Sequence, residues 1–161
     1  MLMQERCRLI LNIVLDVEDV LGHVTLMQFH LWTVGNQGIE LQDGRVYKGG
    51  CDGRPNFHIS LIVDVSPNCD CHPENDAPIL PNIGMFASFD PLALDQACAD
   101  VCLSATPLPH SQLADRMEEE NFCDHHDHFE NTTPNSEYKT CLAHAEKIGL
   151  GTREYELIYM K

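Results

Sequence analysis

The sequence is poor in basic residues: 10 Lys and Arg stand against 25 Asp and Glu, which gives a net charge of −15. The deficit lies beyond residue 50, because residues 1–50 hold only four basic and six acidic residues. An acidic surface repels phosphate backbones and anionic lipids, so nucleic-acid and membrane partners are disfavoured. A cation, a metal ion or a basic protein is easier to accommodate. The acids can also serve solubility alone.

Long apolar runs and export signals are missing as well. No apolar stretch reaches the ~18 residues that a membrane-spanning helix needs. The first seven residues lack the pattern of a signal peptide, and the apolar patch from Leu9 to Leu15 is interrupted by Asn12. We therefore expect a cytoplasmic protein. A Gly-rich phosphate loop, a nucleophile elbow, a zinc-protease motif and internal repeats are also absent.

The periodicity of residues 51–161 predicts an α/β fold. Apolar residues alternate strongly from Phe57 to Val65, which predicts a strand, and Ile83 to Ser88 is typical of a short buried strand. Asp90-Pro91 has the residue types that cap and open a helix. The remaining predictions are a loop from Ser66 to Pro81, a helix from Gln112 to Glu120, an acidic loop from Asn121 to Asn135, a helix capped by Ser136 and stopped by Gly149, and a strand from Tyr155 to Met160. We expect a small layered sheet with helices packed on it, as an incomplete version of a larger α/β domain.

Residues 1–50 are predicted to form a separate N-terminal segment. From Arg8 to Leu21 the apolar residues follow helical spacing, although their β-branched members leave a strand open. His23 to Val34 is predicted as a strand and Gly38 to Lys48 as a hairpin. Gly49-Gly50 and Asp52-Gly53 then mark a break, so the second domain covers residues 51–161.

Two constellations of soft ligands indicate a transition-metal site. The chain holds eight cysteines and nine histidines, and without a secretion signal thiols or metal ligands are favoured over disulfides. Cys69, Cys71 and His72 lie on a loop that follows a predicted strand, where two thiolates and an imidazole can converge on Zn or Fe. Buried structural thiols and a redox-active pair are the alternatives.

The second constellation runs from Cys123 to His128. A thiol and three imidazoles, those of Cys123, His125, His126 and His128, occur within this short acidic stretch. A solvated loop can carry the same residues without binding a metal. The sharpest hypothesis is that Cys69 and Cys71 share one metal ion with at least one ligand from this stretch.

Helix spacing gives two further sets of candidates. Cys98 and Cys102 are four residues apart on one helix face, where burial as small core residues is the favoured interpretation.

Asp90 is expected to act as a helix cap. Asp95, in the second turn, could face a cleft at the carboxyl end of a strand, where α/β proteins bind ligands. An enzyme acting on a small substrate with Asp90 or Asp95 and nearby histidines is therefore one alternative function, and a non-catalytic remnant that only binds a partner is the other.

Several ordered blocks resemble the uncharacterised iron–sulfur-centre proteins, a family of unknown function that commonly carries a ferredoxin-like insert. The blocks are Arg54 to Val65, Cys69-Asp70-Cys71, Ala77 to Gly84, Ala87 to Asp95 and His144 to Ile158. The resemblance implies a redox-associated domain with a ferredoxin-like partner protein. Ferredoxin inserts bind [4Fe–4S] clusters through C-x-x-C-x-x-C-x-x-x-C runs, and this chain has no such run. The cluster ligands therefore cannot be assigned to any residue here. A sheet lacking strands would leave an open edge, which favours homo-oligomers.

Overall fold

A computed structural model describes residues 8–11, 57–68, 76–134 and 137–160 of the chain. These ranges contain four strands and four helices, in the order β1 (Arg8–Leu11), β2 (His58–Ile62), β3 (Gly84–Ser88), α1 (Pro91–Ser104), α2 (Gln112–Met117), α3 (His128–Thr132), α4 (Tyr138–Lys147) and β4 (Glu156–Tyr159). The strand predicted over His23 to Val34 and the hairpin predicted over Gly38 to Lys48 lie outside the described residues.

The four strands form one mixed sheet in the order β2-β3-β1-β4. Strand β3 runs antiparallel to β2, with His58 opposite Ser88, and antiparallel to β1, with Ile10 opposite Ala87. Strand β4 is parallel to β1. The carboxyl end of β3 therefore lies at the edge of the sheet where the other three strands begin.

Helix α1 packs on β2 and β3 and covers one face of the sheet. Side chains of a strand alternate between faces, so Ile62 shares a face of β2 with Ser60 and His58. Ile62 and Phe86 are buried, as are the α1 residues Ala97 and Cys98. Leu94, Ala97 and Cys98 form the buried face of α1, whereas Val101 is half-buried.

The later helices close the core around α1. Leu113 of α2, Phe129 of α3, and Tyr138 and Leu142 of α4 all belong to the core cluster. Helix α4 ends as predicted at Gly149, whose φ of 70° suits glycine. The Gly149 N–H donates to the Glu146 carbonyl and the Leu150 N–H to the Ala145 carbonyl, which is the Schellman pattern.

The α/β fold with helices packed on a small sheet is confirmed, and so are the strands at β2, β3 and β4. The helical interpretation of Arg8 to Leu21 is wrong for Arg8–Leu11, which form a strand between β3 and β4. The expected loop from Asn121 to Asn135 contains α3, because Asp127 caps a helical turn there. The predicted cap Ser136 lies outside the described residues, and Glu137 at the N-cap makes no side-chain capping bond.

In the described ranges, no helix combines the length and the apolar character needed to cross a membrane. The division between residues 1–50 and 51–161 stays a prediction.

Candidate active site at the carboxyl end of β3

Asp90 is the polar anchor between β3 and α1. It has an extended backbone at the N-cap, and its Oδ1 accepts hydrogen bonds from the N–H groups of Leu92 at 2.9 Å and Ala93 at 3.1 Å. Its own N–H donates to the Ser88 Oγ at 3.0 Å. Pro91 at the first helical position needs no N–H partner. The predicted cap is therefore confirmed, and it fixes this carboxylate at the strand end.

A turn distant in sequence completes the environment of Asp90. Its second oxygen, Oδ2, accepts a hydrogen bond from the N–H of Thr152 at 2.9 Å. Gly151 lies so close that an added Cβ would overlap Asp90 Oδ1 and stand 2.6 Å from its Cγ. Three backbone N–H groups thus bind one carboxylate, an arrangement that favours the ionised form.

Asp95 lies one turn further along α1 and has a different environment. Its carboxyl group forms no hydrogen bond or ion pair with residues of the described ranges, and the residue is half-buried. Burial, with a smaller contribution from the negative charge of Asp90, raises the Asp95 pKa from 3.8 to about 7. Two carboxylates on adjacent turns therefore differ: Asp90 is bound by N–H groups, and Asp95 titrates near neutrality.

The face of α1 that carries Asp95 is turned toward β2. Cys98 follows Asp95 by three residues on that face, and its thiol lies toward the Ser60 side chain of β2. His58 precedes Ser60 by two residues on the same face of β2, and α1 runs in the direction of β2. His58 and Asp95 therefore lie at the same end of the helix–sheet interface.

His58 is the second titratable group of this end. Burial lowers its pKa below 6.5, while the negative charge of Asp90 opposes that effect. Its imidazole is therefore neutral at pH 7 and can accept a proton. A carboxyl group that titrates near 7 and a neutral imidazole at the same end of the interface can together supply and remove protons.

The thiols of α1 have a structural role, as expected. Cys98 and Cys102 are buried in the core. Burial raises the pKa of both thiols, and Asp95 adds to the effect at Cys98.

The predicted metal ligands are only partly within the described residues. Cys69, Cys71 and His72 lie outside them. Cys123, His125 and His126 are exposed, and the His126 Nδ1 lies 3.0 Å from an Asp124 oxygen. His128 Nε2 is within hydrogen-bond distance of the Ala105 carbonyl, at 2.9 Å. No group of three or more metal-binding side chains converges among the residues that the structure describes.

Asp127 holds this segment in place through bonds that the sequence pattern did not suggest. Its Oδ1 caps α3 through the N–H groups of Phe129 and Glu130, and its Oδ2 accepts from the Tyr138 hydroxyl at 2.7 Å. The Lys139 ammonium lies 2.7 Å from the same Oδ2. The buried carboxylate thus joins the start of α3 to the start of α4.

Sequence analysis missed His58, Ser60, Gly151 and Thr152 as members of the candidate site. The alternation of β2 indicates that His58 and Ser60 share a face with the buried Ile62, and that signal could have identified them. Gly151 and Thr152 reach Asp90 from about sixty residues away, and no local pattern indicates that contact.

Residues 33–100 match the model of a domain of unknown function, DUF362. The match covers less than half of the 161 residues, and it includes β2, β3 and the first part of α1. It also includes residues 33–50, where the sequence blocks showed no resemblance. Neither a curated protein nor a solved structure matches the chain.

Proposed function

We propose that the carboxyl end of β3 is an acid–base catalytic site for a small polar substrate, with Asp95 as the proton-transferring group. The observation that carries the proposal is the half-buried carboxyl group of Asp95, which has no hydrogen-bond partner among the described residues and lies beside the ionised Asp90. Carboxyl groups whose pKa is raised by burial and by a neighbouring negative charge are characteristic of functional sites.

The roles of the neighbouring residues follow from their bonds. Asp90 is held by three backbone N–H donors, so it is fixed in place and acts through its negative charge on Asp95 and His58. His58, neutral near pH 7, is the second proton carrier. Asp95 in its protonated form can donate to an oxygen or nitrogen that gains electron density, while His58 takes up a proton from the attacking or reacting group.

A substrate screen tests the proposal. Small carbonyl compounds, esters and amides are incubated with the protein in H₂O and D₂O, and ¹H NMR reports hydrolysis and proton exchange together. We expect turnover by the wild type and a loss on the order of 10²–10⁴-fold in Asp95→Asn. Asp100→Asn, an exposed carboxylate on the same helix, is the matched control and should retain turnover. Turnover that survives in Asp95→Asn would exclude Asp95 from the reaction.

A redox-associated, metal-binding function is the second proposal, in which Cys69, Cys71 and His72 share a Zn or Fe ion with Cys123, His125, His126 or His128. The observation that favours it is a hydrogen bond of 3.1 Å from the Thr133 hydroxyl to the Pro67 carbonyl. This bond holds the segment after α3 against the chain that leads into Cys69. A ferredoxin-like protein would be the redox partner, in the cytoplasm.

Metal analysis of untagged protein purified without oxygen tests this second proposal. One metal ion per chain that is lost in the Cys69→Ser/Cys71→Ser double variant, and retained in His110→Gln, is the expected result. His110 is an exposed histidine outside both constellations. Equal metal content in the double variant and the wild type would remove the cysteines from the site.

A further inference from the structure

We infer that the Gly151-Thr152 turn is a positioning element for the acid–base site, which sets the proton affinity of Asp95 by holding the Asp90 carboxylate against the start of α1. The inference rests on the proposed function, since it concerns the same site. It assigns a role to two residues that lie far from Asp95 in the sequence.

The turn is itself held from two sides. On one side, the Arg153 N–H and its Nε donate to the Glu146 carboxylate of α4, at 3.2 Å and 3.0 Å. On the other side, the Thr152 N–H donates to Asp90 Oδ2 at 2.9 Å. The turn therefore connects the end of α4 with the beginning of α1. Its bonds to Glu146 do not involve Asp90.

The close approach depends on glycine. The carboxylate of Asp90 occupies the space that a Cβ on residue 151 would need. Asp90 cannot simply swing away, because its Oδ1 is bound to the N–H groups of Leu92 and Ala93. A methyl group at position 151 would therefore displace either the turn or the carboxylate, and the Thr152–Asp90 bond would be lost in both cases.

We expect a displacement of Asp90 to change the pKa of Asp95. Asp90 contributes to the raised pKa of Asp95 and acts on His58 as well, while Asp95 in turn acts on the Cys98 thiol. Among the residues that the structure describes, the other polar side chains at this interface, Ser60 and Ser88, are uncharged. Asp90 is thus the charged neighbour through which the turn can influence the titration of Asp95.

The test follows the ¹³C shift of the Asp95 carboxyl carbon against pH in wild type, Gly151→Ala, Asp90→Asn and Glu154→Gln. We expect the midpoint in Gly151→Ala to fall, toward the value in Asp90→Asn. Glu154→Gln is the matched control: it changes an exposed side chain next to the turn and leaves Gly151, the Thr152 N–H and the Arg153 bonds to Glu146 in place, so its midpoint should stay close to that of the wild type.

Two failures can be told apart. If Asp95 titrates near 7 in the wild type and its midpoint is the same in a folded Gly151→Ala variant, the positioning role is refuted while the acid–base site stands. If Asp95 already titrates near 4 in the wild type, the acid–base site fails and the positioning role fails with it. Should Gly151→Ala not fold, Gly151→Ala in the background of Asp90→Gly, which removes the whole carboxylate and is tolerated at an N-cap, shows whether removal of that side chain relieves the overlap. Refolding in that double variant supports the close packing, and continued unfolding contradicts it.

Discussion

Gly151 lies directly against the Asp90 carboxylate, and the next residue, Thr152, donates its N–H to that carboxylate at 2.9 Å. The contact joins the segment that enters β4 to the first turn of α1. The contact lies between two segments that are far apart in the sequence, Ala87 to Asp95 and His144 to Ile158. The same contact places an ionised carboxylate beside the titratable Asp95.

Replacement of Asp90 by Ala should destabilise the protein. The lost helix cap alone costs about 0.5–2 kcal/mol, and the unsatisfied Thr152 N–H adds about 1 kcal/mol. Asn keeps a capping oxygen, so Asp90→Asn should lose less. Denaturant melts of the two variants check this, and an unchanged midpoint in Asp90→Ala would show that the cap does not contribute.

Replacement of Leu142 by Ala should cost about 2–5 kcal/mol, because Leu142 is 3% exposed in the core between α4 and α1. Lys147→Ala, an exposed change on the same helix, is the control and should stay within about 0.5 kcal/mol of the wild type. A loss below about 1 kcal/mol for Leu142→Ala would mean that this face of α4 is not packed as described.

Replacement of Asp127 by Asn should cost about 1–3 kcal/mol, because the buried acceptor of the Tyr138 hydroxyl and the Lys139 ammonium is lost. Asn can still cap α3. The loss of stability therefore measures the contacts of residue 127 with Tyr138 and Lys139 of α4, and not the contribution of the cap. Thermal or denaturant unfolding measures the change. Stability equal to that of the wild type would indicate that Asp127 contributes only as a cap.

Replacement of Asp95 by Asn should stabilise the protein in a pH-dependent way. The pKa of Asp95 is raised from 3.8 to about 7, so the folded state binds a proton that the unfolded state has released between these values. Stability of the wild type therefore falls as pH rises from about 4 to about 7. Since one pKa unit corresponds to about 1.36 kcal/mol, the cost above pH 7 is at most on the order of 4 kcal/mol.

The Asp95→Asn comparison is made at several pH values. The variant should be more stable than the wild type at pH 8 and should show no gain at pH 4. Asp100→Asn provides the reference for removing a carboxylate from the surface of α1. A constant difference between wild type and Asp95→Asn at all pH values would contradict the raised pKa.

Local signals in the sequence predicted most of the fold. Asp90 was identified as a cap because the residue types at the cap and at the first helical position are sufficient to indicate a helix start. Arg8–Leu11 was misassigned because its β-branched neighbours fit helical spacing as well as a strand, and only pairing with β3 and β4 decides between them. Helix α3 was missed because it has five residues and begins within an acidic, histidine-rich stretch.

The candidate site was predicted in part. Asp90 and Asp95 were named from their positions after a buried strand, while the Gly151-Thr152 turn depends on the packing of α4 against α1. The metal site that the residue types of the histidine-rich segment indicate stays a prediction, and local pattern did not indicate that the His125 backbone N–H donates to Asn131 Oδ1 or that His128 Nε2 lies near the Ala105 carbonyl. Composition predicts which ligands are available, and only the fold determines which of them converge.

The titration of Asp95 tests the central claim most directly. The ¹³C shift of its carboxyl carbon, followed from pH 3 to pH 9 in the wild-type protein, gives the midpoint without a substrate. The account predicts a midpoint of about 7. A midpoint near the ordinary value of 3.8 would contradict it, because Asp95 would then be a solvated carboxylate that cannot transfer protons near neutral pH.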